Sequence, residues 1–142
     1  MINNNLQYCR EELGMTQTEL GYVLGIHKST ISGWENGYSV IPLKKLITFC
    51  NLYNYSVDFV CGLSRENNNF SKSTLDKKII GERLTKIRKS LGLTQQQIAD
   101  ECSISQPTYN TYEKGLYLAS TMTIYTICKN HNISMNSIFK ID

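Results

Sequence analysis

Apolar residues along the first half of the chain fall at three- and four-residue spacing in short bursts, separated by glycines and small polar residues. That spacing marks one face of an α-helix, and no convincing strand signal accompanies it. Leu6, Cys9 and Leu13 predict a first helix that stops at Gly14. Thr16 offers the N-cap of a second, and Glu19 three positions later completes a capping box. Leu20, Val23 and Leu24 give this helix a buried face, and Gly25 ends it. A third helix is predicted from Lys28 to Asn36, with Ile31 and Trp34 inward and Gly37 as its stop. If Trp34 is buried in this way, truncating it to Ala costs about 3–5 kcal/mol. Pro42 falls in the first turn of a fourth helix carrying Leu43, Leu46, Ile47 and Cys50. Ser56 caps a short fifth that contains Phe59 and Val60.

The second half repeats the first. Sliding the sequence on itself by 78 residues aligns 3–64 with 81–142 without a gap and makes fourteen of 62 positions identical. The identities include Leu6/Leu84, Arg10/Arg88, Thr16/Thr94, Gln17/Gln95, Glu35/Glu113 and Gly37/Gly115. Thr94 and Gln97 restate the capping box, and a fifth helix with Ile138 and Phe139 follows Ser134. Between the copies, SRENNNFSKSTL is rich in Asn and Ser and reads as a flexible linker. The expected organisation is a first domain over 1–63, a linker over 64–75 and a second domain over 76–142. The fold class is all-α, two tandem units of five short helices.

Composition narrows the chemistry. Among 142 residues the net charge is +3, a weak hint of a polyanionic partner. The charge is uneven, −1 over residues 1–64 and +3 over residues 76–142. Cys9, Cys50, Cys61, Cys102 and Cys128 are odd in number and form no C-x-x-C pair, so neither a disulfide framework nor a zinc knuckle is expected. A redox-sensing thiol is the minor alternative. His27 and His131 stand far apart with no ligand at metal spacing, and no metal or cofactor is expected. The opening residues lack a secretory signal and no window approaches a membrane span, which points to a cytoplasmic protein. No nucleophile triad, paired-carboxylate motif or phosphate loop is present, so catalysis is not expected.

The stretch TQTELGYVLGIHKSTISGWENG, residues 16–37, resembles the helix-turn-helix of the phage repressor and Cro (XRE) family. Thr16-Gln17 opens its first helix, Gly21 is small where the helices cross, and Leu24-Gly25-Ile26 forms the turn. Ile31 and Trp34 are the inward pair, and Glu35-Asn36-Gly37 is the exit. The second copy, TQQQIADECSISQPTYNTYEKG (94–115), departs at Ser103 in place of the turn glycine, at Pro107 and at Tyr109. The likeness extends over about 124 of the 142 residues and implies two lambda-repressor-like domains.

In the family, N-terminal residues of the third helix meet base edges in the major groove. Position by position, this implies Lys28, Ser29, Ser32 and Gly33 in the first domain and Gln106, Pro107, Asn110 and Thr111 in the second. Lys28 suits guanine, and Gln106 and Asn110 are the residue types that read adenine. Gln17 and Gln95 begin helices whose free N–H groups suit a phosphate, and Asn36 and Lys114 match backbone-contacting positions. His27, at the entry to the third helix, is a further phosphate candidate. The resemblance also implies internal ion pairs, Arg10 with Glu35 and Arg88 with Glu113. Lys77, Lys78, Arg83, Lys86, Arg88 and Lys89 crowd the first helix of the second domain, as a solvated face or as a surface for phosphates or an acidic partner. Tyr38, Val40 and Ile41 make the next loop apolar, for core or for a dimer surface.

The leading expectation is a sequence-specific DNA-binding transcriptional regulator of the repressor kind, with double-stranded DNA as its partner. Two alternatives stay open. In one, the first domain binds DNA and the second is a dimerisation or protein-interaction module. In the other, the protein is an antitoxin-like binder of a protein partner. A homodimer fits any of these, and no membrane partner is expected.

Overall fold

The computed structural model describes residues 3–68 and 70–141, and the chain divides between Lys72 and Ser73 into two compact units. The first holds α1 (Leu6–Glu12), α2 (Gln17–Leu24), α3 (Lys28–Glu35), α4 (Leu43–Tyr53) and α5 (Val57–Val60). The second holds α6 (Lys77–Ser90), α7 (Gln95–Glu101), α8 (Gln106–Glu113), α9 (Thr121–His131) and α10 (Asn136–Phe139). Among the described residues, β-pairing is limited to an isolated bridge between Ser73 and Lys140.

Local chemistry sets the helix boundaries. The Glu19 N–H donates to the Thr16 hydroxyl at 3.1 Å while the Thr16 N–H donates to the Glu19 carboxylate at 3.1 Å. Thr94 and Gln97 make the same reciprocal pair at 2.8 and 3.1 Å. Each pair satisfies two backbone donors that a helix start would otherwise leave open. Helix ends are set by left-handed residues recurring at the repeat offset: Gly14/Gly92, Gly25/Ser103, Gly37/Gly115 and Asn54/Asn132. At the helix-turn-helix corner Gly25 has φ +70°, and Ser103 is held at φ +56° in its place. A side chain with a Cβ adopts that conformation at a cost of about 1 kcal/mol.

Two expectations are corrected here. Val23 does not share the buried face of α2 but is 41% exposed, because Leu20, Gly21 and Leu24 alone turn inward. Pro42 lies one position outside α4, as its N-cap. In the second unit Ser120 occupies that place and accepts the Thr123 N–H.

Each unit closes over its own core. Leu6, Leu20, Ile31, Trp34, Leu46 and Phe49 are buried in the first, and Ile80, Leu84, Ile98, Tyr109, Ile124 and Phe139 in the second. Close backbone approach completes the frame. A Cβ at Gly21 would stand 2.5 Å from the Ile26 carbonyl oxygen, so the corner folds tightly against α2. At Gly81 a Cβ would meet the Tyr112 and Glu113 carbonyl oxygens at 2.4 and 2.6 Å, where α6 crosses α8.

The segment expected as a linker is tied at both ends. The Asn67 carboxamide accepts the Ser56 N–H at 2.7 Å and donates to the Asn54 carbonyl at 3.1 Å. The Thr74 N–H donates to the Phe139 carbonyl at 2.9 Å.

Candidate nucleic-acid interface

The third helix of the first unit presents two unlike faces. Ile31 and Trp34 are buried, whereas His27, Lys28, Ser29 and Thr30 are exposed at its N-terminal turn. Ser32 and Gly33 are half-buried and Asn36 is exposed. The Lys28 side chain is exposed and makes no ion pair or hydrogen bond among the described residues. The hydroxyl-bearing neighbours are engaged locally: Ser29 Oγ lies 2.8 Å from His27 Nδ1, and Asn36 donates to Ser32 Oγ at 3.2 Å. His27 is the N-cap of α3, its Nδ1 accepting the Ser29 N–H at 3.1 Å. That lone pair is therefore occupied, while the residue as a whole is exposed.

A buried ion pair holds this helix from behind. Arg10 donates through Nε and Nη2 to Glu35 at 2.7 and 2.9 Å and through Nη1 to the Met15 carbonyl at 2.8 Å. The Glu35 side chain is 1% exposed, so it depends on these donors. Gln17 donates to the same carboxylate at 3.0 Å. Its side chain is thus turned inward rather than toward solvent, leaving the start of α2 to offer backbone N–H groups.

The second unit rebuilds the arrangement with more links. Arg88 donates to Glu113 at 2.7 and 3.1 Å and to the Leu93 carbonyl at 3.0 Å. Gln95 donates to Glu113 at 3.0 Å and to Asn110 at 3.1 Å, and Gln106 donates to Gln95 at 2.7 Å. Both amide residues expected to face bases are therefore joined to the buried carboxylate through Gln95. Burial pushes the Glu113 carboxyl up, but the Arg88, Gln95 and Tyr109 groups around it outweigh that and hold it below the ordinary range. The Tyr109 hydroxyl, fully buried where the first unit has Ile31, faces that carboxylate without a hydrogen bond of ordinary geometry. Burial, with Glu113 beside it, pushes its phenol far up. Pro107 and Lys114 are exposed, Asn110 and Thr111 half-buried.

The basic run on α6 is smaller than its sequence suggests. Arg83 donates to the Ile138 and Lys140 carbonyls at 2.9 and 2.8 Å, and Arg88 is committed to Glu113. Lys77, Lys78, Lys86 and Lys89 stay exposed. Tyr38 projects outward at 85% exposure, while Ile41 joins the core. His131 does not stand alone: its Nε2 lies 2.8 Å from Glu101, which also accepts from Asn130 at 3.2 Å. Thirty positions separate the two partners, so spacing gave no hint of the contact. The cysteines are free thiols. Burial pushes Cys9 up to about 12 and Cys102 up to about 11, which keeps them protonated and poorly nucleophilic at neutral pH. Among the described residues no cluster of His, Cys, Asp or Glu could hold a metal, and no helix is long and apolar enough to cross a membrane.

Residues 6–60 match the helix-turn-helix family, and residues 81–140 match a second family described as the helix-turn-helix domain. A segment of 64 residues, 45% of this chain, is 34% identical to 57% of YobD of Bacillus subtilis (strain 168), named an uncharacterized HTH-type transcriptional regulator. YqaE of the same organism carries the same description and is 34% identical over 62 residues, 44% of this chain and 53% of that protein. The chain thus spans little more than half the length of these curated relatives. Among solved structures, the restriction-modification controller protein C.AhdI from Aeromonas hydrophila is 23% identical, with a TM-score of 0.42, over 46% of this chain and all of that one. Two helical units, each with a capped second helix, a left-handed corner and a third helix exposed at its N-terminal turn, thus coincide with two family matches, and the chain belongs to the helix-turn-helix family as a tandem pair of phage repressor and Cro (XRE) type domains.

Proposed function

We propose that the chain is a sequence-specific DNA-binding transcriptional regulator of the repressor kind, which lays the third helix of its domains in the major groove of double-stranded DNA. The observation that carries this reading is the exposed turn His27–Thr30, which projects from a helix whose opposite face is buried and pinned by Arg10 and Glu35. A helix held this rigidly keeps its side chains in register with base edges, as direct readout requires. In this reading Lys28, Ser29, Ser32 and Gly33 face bases in the first domain and Gln106, Asn110 and Thr111 in the second. His27, Asn36 and Lys114, with the N-terminal N–H groups at Gln17 and Gln95, meet phosphates and set register.

The domains act as one bivalent binder in the cytoplasm. From Asn67 to Ser73 the chain has six Cα steps, a reach of at most about 22 Å. A tether of this reach raises avidity without new contacts where both third helices engage one duplex together. A second reading, in which the second domain holds a protein partner or another copy, draws support from Leu116 and Tyr117, 58% and 66% exposed beside α8.

The test is selection of bound duplexes from genomic fragments with the full chain, followed by affinity measurement at several salt concentrations. Binding should weaken steeply with salt. Lys28→Ala should cost about 1–3 kcal/mol on the selected duplexes and relax preference at one base position. A full chain that selects no duplex at 50 mM salt, or a Lys28→Ala variant that binds unchanged, would overturn the reading.

A further inference from the structure

The turn after α8 differs from its counterpart in the first domain. Residues 116–118 read Leu-Tyr-Leu, and Tyr117 and Leu118 line, together with residues of α8, a groove of about 480 Å³. It is lined by Pro107, Thr108, Thr111, Tyr112, Tyr117 and Leu118, with no charged side chain among them. Pro107 and Thr108 stand in the exposed first turn of the helix, and Tyr117 is 66% exposed. In the first domain Gly33 takes the place of Thr111, and a Cβ there would already lie 3.2 Å from Ser39 Oγ. The two domains thus present different chemistry at the same point of the third helix: a bare backbone at Gly33 in one, and methyl, ring and proline carbons in the other.

We infer that the groove beside α8 takes thymine C5-methyl groups, making Pro107 and Thr111 specificity-determining residues for thymine-containing sites. This rests on the proposed DNA-binding function and extends it to a base class. In the major groove the thymine methyl is the apolar feature of the base pairs, and it is read by apolar contact rather than by hydrogen bonds. The polar side chains of the helix complement this: Gln106 and Asn110 are linked through Gln95, while Pro107 brings no donor and Thr111 commits its hydroxyl to the Thr108 carbonyl at 2.6 Å. With its hydroxyl so committed, Thr111 contributes to the groove lining as a residue whose other substituent is a methyl. Charge favours the same occupant. The exposed Lys114 directly follows the helix, and a Cβ at Gly115 would stand 2.8 Å from the Lys78 Cα, so the C-terminal end of α8 carries the exposed Lys114, Lys77 and Lys78, cations that suit phosphates.

The experiment uses the full chain and duplexes it selects from a random pool. Each thymine is replaced in turn by deoxyuridine, which removes the methyl and leaves base pairing intact. Lys28→Ala identifies the positions that depend on the first domain. Outside these, at least one thymine should show a loss of about four-fold per methyl removed, the worth of one buried carbon. In the Pro107→Ala/Thr111→Ser double variant, checked by circular dichroism to be folded, that loss should shrink to less than two-fold. A flat deoxyuridine profile on duplexes that bind the chain, or a loss that persists in the folded double variant, overturns this inference and leaves DNA binding standing. Failure to select any duplex overturns both. A concentration-dependent dimer by light scattering that Leu118→Lys disrupts would assign the groove to a second copy and overturn the thymine assignment. Should the double variant not fold, Thr111→Ser alone decides between the same outcomes.

Discussion

Replacing Glu113 by Gln tests whether the ion pair behind α8 holds the second domain together. The carboxylate accepts two bonds from Arg88, at 2.7 and 3.1 Å, and one from Gln95 at 3.0 Å, with its side chain 5% exposed. Neutralising it leaves Arg88, itself 15% exposed, without a counter-charge. Breaking a buried pair from one side costs about 3–5 kcal/mol, and residual solvent at Arg88 favours the lower end. A unit of this size has a total stability of about 4–10 kcal/mol, so a loss near 3 kcal/mol removes roughly a third to three quarters of it. Urea titration with two probes can locate the damage. Trp34, the single tryptophan, is buried in the first unit, so its fluorescence reports there while circular dichroism sees both units. The expected result is a dichroism transition that begins at much lower urea while the fluorescence transition stays in place. Acid supplies a second check. The carboxyl is depressed in the folded state, so its contribution is fully present above its ordinary value of 4.5 and is lost as pH falls through the depressed value. The gap in stability between the parent and Glu113→Gln should therefore narrow in acid. Dichroism curves that coincide within about 0.5 kcal/mol, or a gap that does not change with pH, would refute the reasoning.

Four further outcomes follow from the backbone and the core. Gly81→Ala pushes a Cβ against two carbonyl oxygens and should destabilise the second domain by more than 2 kcal/mol in urea. Gly14→Ala, strained at φ +71° but in open space, should cost only about 1 kcal/mol. Ser103→Gly relieves φ +56° and should raise stability by up to about 1 kcal/mol, and a loss there would contradict the strain argument. Buried, protonated Cys9 should alkylate slowly at pH 8 in the folded chain and rapidly in denaturant, with the half-buried Cys102 reacting ahead of it, and complete reaction of Cys9 in the native protein within minutes would refute its shielding.

Capping boxes, corner residues and the third-helix boundaries could be read directly from the chain because their chemistry is local. Thr16 and Glu19 find each other within one turn, and Ser103 inherits the backbone angle of Gly25 because the repeat keeps the corner in register. The offset of 78 residues made the second unit legible from the first. The orientation of side chains was not local. Val23 obeys helical spacing yet faces out, since the neighbouring helices cover only the stripe of Leu20, Gly21 and Leu24. Gln17 and Gln95, polar and set at helix starts, turn inward because a buried carboxylate eighteen residues away offers a stronger partner than water. Gly81 looks dispensable until α8 lays two carbonyls against it, and His131 finds Glu101 only after α7 and α9 are packed. Periodicity and capping depend on neighbours along the chain and so belong to the sequence. Which polar groups are free to meet another molecule depends on neighbours in space, and that the tertiary structure alone decided.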